Sequence, residues 1–167
     1  MFTPQPIDPR TVPAALAKAE RYRLLNDPSA AESICLDVVE VDPDNQPALV
    51  MLLLARTDQF GTTGAAGVAS AREVLDRISS SYQRAYYAGV IAERQAMAIL
   101  RAGTLGKGPI VHAHLREAMD HYEEAQRQSP PDTNEALLRW NTCVRILARD
   151  PSLAPPREER PEPVLGE

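Results

Sequence analysis

The chain is short of cysteine, of aromatic residues and of any long apolar run. Its 167 residues include two cysteines, Cys35 and Cys143. That is too few for a disulfide framework, and the pair lacks the spacing of a metal site, so a reducing, cytoplasmic setting is expected. The longest apolar run, from Leu49 to Ala55, falls far below the roughly 20 residues that span a bilayer. Residues 1–10 carry prolines and an aspartate where a signal peptide needs an apolar core. Basic residues are outnumbered, 18 Lys and Arg against 23 Asp and Glu, for a net charge of −5. Both signs are mixed along the chain, and without a basic stripe a nucleic-acid partner is not expected. No membrane partner is expected either.

What the chain does have is punctuation. Asp27-Pro28 reads as an N-cap followed by proline at the first helical position, and Asn45-Gln46-Pro47 repeats that grammar. Thr11 is expected to cap a first helix running to Leu25, and a second runs from Pro28 to about Val41. A third, from Gln46 to about Phe60, carries Leu49, Leu52, Leu53 and Leu54, apolar on nearly every side, as suits a helix between two neighbours. The glycines of Gly61 to Gly67 predict a lengthened turn, and Ser70 with Glu73 has capping-box spacing, so a partner helix is expected from Ala71, packing through Ala71, Leu75 and Ile78. A long helix over Tyr82 to Arg101 places Tyr82, Tyr86, Val90, Met97 and Leu100 on one stripe. A second glycine-rich turn, Gly103 to Pro109, leads to a helix ending at Pro130. Asp132 with Glu135 opens the last helix, to about Arg149, with Trp140 on it. The expected organisation is a flexible arm over 1–10, an all-α domain of seven helices over 11–149, and a disordered Pro/Glu-rich tail over 150–167.

Two stretches share a packing stripe. Ala31, Cys35, Val38 and Pro43 are separated by four, three and five positions, and so are Ala118, Tyr122, Ala125 and Pro130. Steps of four and three stay on one helical face, and the proline stops the helix. With Ala19 and Tyr22 on the preceding helix, this pattern resembles the tetratricopeptide repeat, a helical hairpin of about 34 residues. Pro43 and Pro130 lie 87 positions apart, against roughly 68 for two such repeats. The excess is expected in the two glycine-rich turns. The resemblance implies a short stack of hairpins capped by a lone final helix, whose first helices line a concave groove for an extended peptide or a partner helix. In this register the groove residues are Leu16, Glu20 and Arg23, then Val50, Leu54, Thr57 and Asp58, then Tyr87, Arg94 and Met97, and finally Leu137, Asn141 and Arg145. One subgroup of the family grips a terminal carboxylate with lysine, asparagine and arginine. Leu16 and Glu20 stand where the first two would be needed, so that mode is not implied here.

Other clusters carry less chemistry. His114, Glu117 and His121 share a helical face, but one helix alone supplies them and that face lies beside the packing stripe, so no metal site is assigned. Gly61, Gly64 and Gly67 are not a phosphate loop, since no Lys-Ser or Lys-Thr follows and the preceding element is helical. No nucleophile, base and oxyanion donor converge. The expectation is therefore a non-catalytic, cofactor-free cytoplasmic adaptor of bacterial type with a protein or peptide partner. The alternatives are a small acidic chaperone that shields an apolar client segment, and an enzyme or ligand sensor built on the glycine-rich turns.

Overall fold

A computed structural model describes residues 2–103 and 106–155. Among them lie seven α-helices: α1 (Val12–Leu24), α2 (Pro28–Val41), α3 (Gln46–Asp58), α4 (Phe60–Leu75), α5 (Ser81–Arg101), α6 (Gly108–Arg127) and α7 (Glu135–Arg149). There is no strand among the described residues. Each helix packs on its neighbours in sequence, and α1 also meets α3, as α3 meets α5. The result is a row of antiparallel hairpins, α1–α2, α3–α4 and α5–α6, with α7 laid against α6.

Local chemistry sets most of the boundaries. The Asp27 carboxylate accepts from the Ala30 amide at 3.0 Å and Asn45 Oδ1 from the Ala48 amide at 2.9 Å. Each satisfies an amide that has no intrahelical partner, with Pro28 and Pro47 just inside the start. Helix α1 ends through Asn26, whose φ of 60° lets the Asp27 amide donate back to the Tyr22 carbonyl at 2.9 Å.

Several expectations are corrected. Thr11 does not cap α1 with its side chain, because its hydroxyl donates to the Asp8 carbonyl at 2.7 Å. The run Gly61 to Gly67 is not an extended turn. Helix α4 starts at Phe60 and passes through a kink at Gly64, where φ 55° and ψ −138° fit glycine alone. Ser70 therefore lies inside α4 and its hydroxyl donates to the Gly67 carbonyl at 3.0 Å, so it opens no helix. Phe60, Ala71 and Val74 of α4 are buried in the core, with Ile78 just beyond, and the expected Leu75 is half-buried and packs against them with Val68. Before α7, Asp132 sits at φ 69° and makes no capping box, and Asn134 precedes the helix without a side-chain cap. The extra length of the third hairpin lies in its helices, since α5 has 21 residues and α6 has 20, against 13 and 14 in the first. Thr104 and Leu105, in the second glycine-rich turn, fall outside the described residues.

Both ends are more engaged than their composition predicts. Ile7 packs with Val12, Val38 and Ala48, and Pro4 and Pro6 lie along Leu36, Asp37 and Glu40 of α2. Beyond α7, Pro151–Leu153 forms a 3-10 turn that presses Leu153, 3% exposed, against α6. A side chain at Gly108 would collide with the Ser152 carbonyl there. The remaining tail, 156–167, which carries the expectation of disorder, lies outside the described residues.

The core has two main parts. One gathers Ala19, Ala31 and Cys35 with the leucines of α3 and with Ala71 and Val74 of α4. The other gathers Val90, Ala92 and Ala96 of α5, Leu115, Ala118 and Tyr122 of α6, and Ala136 and Cys143 of α7. Leu54 and Tyr87 touch both. No described helix is long and apolar enough to cross a membrane.

Candidate functional site

Three residues expected in the groove converge. Asp58, in the last turn of α3, accepts from Arg23 Nε of α1 at 2.8 Å through Oδ2 and from Arg94 Nη1 of α5 through Oδ1. The first helices of all three hairpins are thus joined by one carboxylate. Side-chain exposures of 20% for Arg23, 20% for Asp58 and 29% for Arg94 place the triad at a partly desolvated surface. Two guanidinium charges against one carboxylate leave it net positive. Arg23 Nη1 also lies 4.0 Å from the Met51 sulfur, a weak acceptor. Tyr87 is half-buried beside them, its hydroxyl pushed up to about 12 by burial, by Tyr86, by the Glu135 charge and by Tyr82, with Arg23 acting in the opposite sense. Its ring meets Tyr86 edge to face at 5.1 Å between centroids.

The other expected groove residues are dispersed. Thr57 is buried, 3% exposed, with its hydroxyl donating to the Leu54 carbonyl at 2.8 Å, so it faces the core and not a groove. Leu16 is half-buried in the small cluster with Val12 and Val38. Val50, Leu54 and Met97 are half-buried, and Glu20 is exposed. On α7, Asn141 is half-buried and Leu137 and Arg145 are exposed, and no bond joins them to the triad.

A second charged network escaped the sequence reading. Glu93 on α5 is 7% exposed, accepts from the Tyr122 hydroxyl at 2.6 Å, and receives Arg139 Nη1 of α7 at 3.0 Å on each oxygen. Arg139 also donates to the Tyr86 hydroxyl at 3.3 Å. Burial and the Glu93 carboxylate hold the Tyr122 hydroxyl well above its usual range. Desolvation opposes the charge on Arg139, but Glu93, Tyr122 and Tyr86 together outweigh it and raise the guanidinium. The ring of Tyr122 is wholly buried and rests on Gly89, where a Cβ would lie 2.5 Å from Cε1. The network ties α5, α6 and α7 together, with both Glu93 oxygens and Arg139 Nε and Nη1 engaged. The signal available in sequence was a glutamate in the register of the expected apolar stripe, three positions after Val90 and four before Met97, with no mark of its partner 46 residues away.

The remaining clusters are structural. Arg56 donates to Glu32 at 3.0 Å and to the Ser70 carbonyl at 2.7 Å, locking α3 to α2 and α4. His114 Nδ1 lies 3.3 Å from Glu117, which also accepts from Arg72 of α4 at 3.1 Å. Partial burial opposes ionisation of Glu117, but Arg72 and His114 outweigh it and hold the carboxyl below its usual range. Among the described residues no set of three or more His, Cys, Asp or Glu side chains is placed to hold a metal. Trp140 Nε1 donates to Glu123 at 3.0 Å on the outside of the α6–α7 pair. Cys35 and Cys143 are buried, and burial pushes both thiols up to about 12, so neither is a poised nucleophile.

Comparison with protein-family models, with curated proteins and with solved structures yields no match to this chain.

Proposed function

We propose that the chain is a non-catalytic interaction scaffold, a tetratricopeptide-like stack that holds a peptide or partner helix against the face formed by α1, α3 and α5. The observation that supports it most directly is the Arg23–Asp58–Arg94 triad. Residues from three successive hairpins meet on one partly open face, and their charges do not cancel. A surface built from repeated elements offers one contact per hairpin to an elongated partner. Met51, Leu54 and Tyr87 add half-buried apolar area beside the charges, the mixture of aromatic, methionine and arginine side chains typical of interface centres. The scarcity of cysteine accords with a cytoplasmic setting.

The test is capture from native lysate with wild-type chain, with a Tyr87→Ala/Arg94→Ala variant, and with an Arg116→Ala variant altered on the outside of α6. A scaffold acting through this face retains its partner with wild type and with the α6 variant and loses it with the double variant. Partners indifferent to Tyr87 and Arg94, or none above a surface-scrambled control, would reject the assignment.

A further inference from the structure

The triad also specifies the chemistry of the partner. Arg23 commits Nε to Asp58 and turns Nη1 toward Met51, and Arg94 commits Nη1 to Asp58. Among the described residues the other guanidinium N–H groups of this pair have no acceptor, and neither does the Tyr87 hydroxyl have a partner. Asp58 has one donor on each oxygen. Asp58 thereby draws two like-charged forks together, while Arg23 Nη2 and Arg94 Nε and Nη2 stay uncommitted. A guanidinium fork held in place, partly desolvated and carrying uncompensated charge, matches the two oxygens of a carboxylate, and the bond is charge-assisted. Met51, at Arg23 Nη1, and Tyr87, within reach of the Arg23 charge, are half-buried there and favour a bulky apolar neighbour on the ligand.

Resting on the scaffold reading above, we propose that the face of α1, α3 and α5 recognises a linear segment bearing an Asp or Glu side chain next to a bulky apolar residue, with the carboxylate seated on the free donors of Arg23 and Arg94. The net charge of −5 repels acidic segments elsewhere on the surface, so the triad sets the register of the bound segment as well as its sign. A triad that served only to brace the three helices would show no such preference.

The experiment selects binders to the full chain from a random 12-residue peptide library displayed as internal fusions, so that no terminal carboxylate is free. Enriched peptides are then synthesised as C-terminal amides and titrated against wild-type chain and Arg94→Gln. The expected result is one acidic position beside an apolar one in the enriched set. Replacing that Asp or Glu by Asn or Gln weakens binding tenfold or more, Arg94→Gln does the same, and the two together cost little more than either alone, which marks a direct pair. Enriched peptides without a preferred acidic position, bound equally by Arg94→Gln, would overturn the carboxylate site and leave the scaffold reading intact. No enrichment at all would overturn both. If Arg94→Gln fails to fold, the peptide-side substitution decides alone: a loss of less than threefold rejects the site.

Discussion

Replacing Gly89 by alanine tests the closest packing in the second core. The new methyl group would lie 2.5 Å from Cε1, 2.7 Å from Cδ1 and 2.9 Å from Cζ of Tyr122. That ring is wholly buried and its hydroxyl is bonded to Glu93 at 2.6 Å, so it has little freedom to retreat. Overfilling a packed core costs about 1–3 kcal/mol. Shifting the ring also weakens a hydrogen bond to a buried carboxylate, for a further loss of about 1–3 kcal/mol. Alanine in place of glycine inside a helix returns roughly 1 kcal/mol. The expected net loss is about 3 kcal/mol. At 2–4 °C per kcal/mol for a chain of this size, the melting temperature should fall by roughly 6–12 °C. Thermal unfolding followed by circular dichroism measures it. A second arm places the change in a Tyr122→Ala background, where the cavity accepts the methyl group and Gly89→Ala should be neutral or stabilising. An unchanged melting temperature in the wild-type background, or an equal penalty in both, would refute the reasoning.

Other consequences are open to similar measurement. Gly64→Ala forces a residue with a Cβ into φ 55°, ψ −138° and should cost about 1–3 kcal/mol in urea unfolding, although open space surrounds the site; no loss would mean that the α4 kink is not fixed. Ending the chain after Asp150 removes Leu153 from its seat on α6 and should cost about 2 kcal/mol, whereas ending it after Pro155 preserves that contact; equal melting temperatures would show that the 3-10 turn adds nothing. Tyr122→Phe leaves Glu93 with Arg139 alone and should destabilise by about 1–3 kcal/mol, visible as a lower urea midpoint at constant slope. Folding holds the protons on Cys35 and Cys143, raising both from an ordinary value near 9 to about 12. Their contribution is complete below pH 9 and is lost as pH rises from there toward 12, because the unfolded thiols ionise first. Urea midpoints taken from pH 8 to 10.5 should fall more steeply in the wild type than in a Cys35→Ala/Cys143→Ala variant.

The legible part of the fold was what local chemistry decides. Asp27-Pro28 and Asn45-Pro47 announce helix starts within one turn of chain, and the stripes Ala31-Cys35-Val38 and Ala118-Tyr122-Ala125 are buried throughout. Failures came where local and longer-range preferences compete. Three glycines in seven residues predict a turn by propensity, yet the stretch is helical apart from Gly64, and the wall of α4 is covered by Phe60 and Val68 packing on the first core. Ser70-Glu73 and Asp132-Glu135 have capping spacing without capping geometry, since spacing does not say where the backbone turns. For the site, equivalent positions on successive hairpins brought Arg23, Asp58 and Arg94 forward from sequence. The Glu93–Tyr122–Arg139 network was invisible, because its members are 29 and 46 residues apart and one of them sits on a face that reads as apolar.

The division of the interior has a consequence for how the chain comes apart. Besides the shared Leu54 and Tyr87, the first half takes Ile91 and Ala98 from α5 while the second takes Val90, Ala92 and Ala96 from the same helix, so each half is a candidate cooperative unit that opens against α5. Amide exchange should then be segmental, with α1 to α4 and α6 to α7 opening as separate blocks on either side of α5. A partner lying across Arg23 and Arg94 ties the first block to the α5 seam that the second block also packs on. Its binding would act as a bolt, adding stability to whichever block opens first and merging two exchange regimes into one. The degree of that merging would report occupancy of the face without any label on the partner.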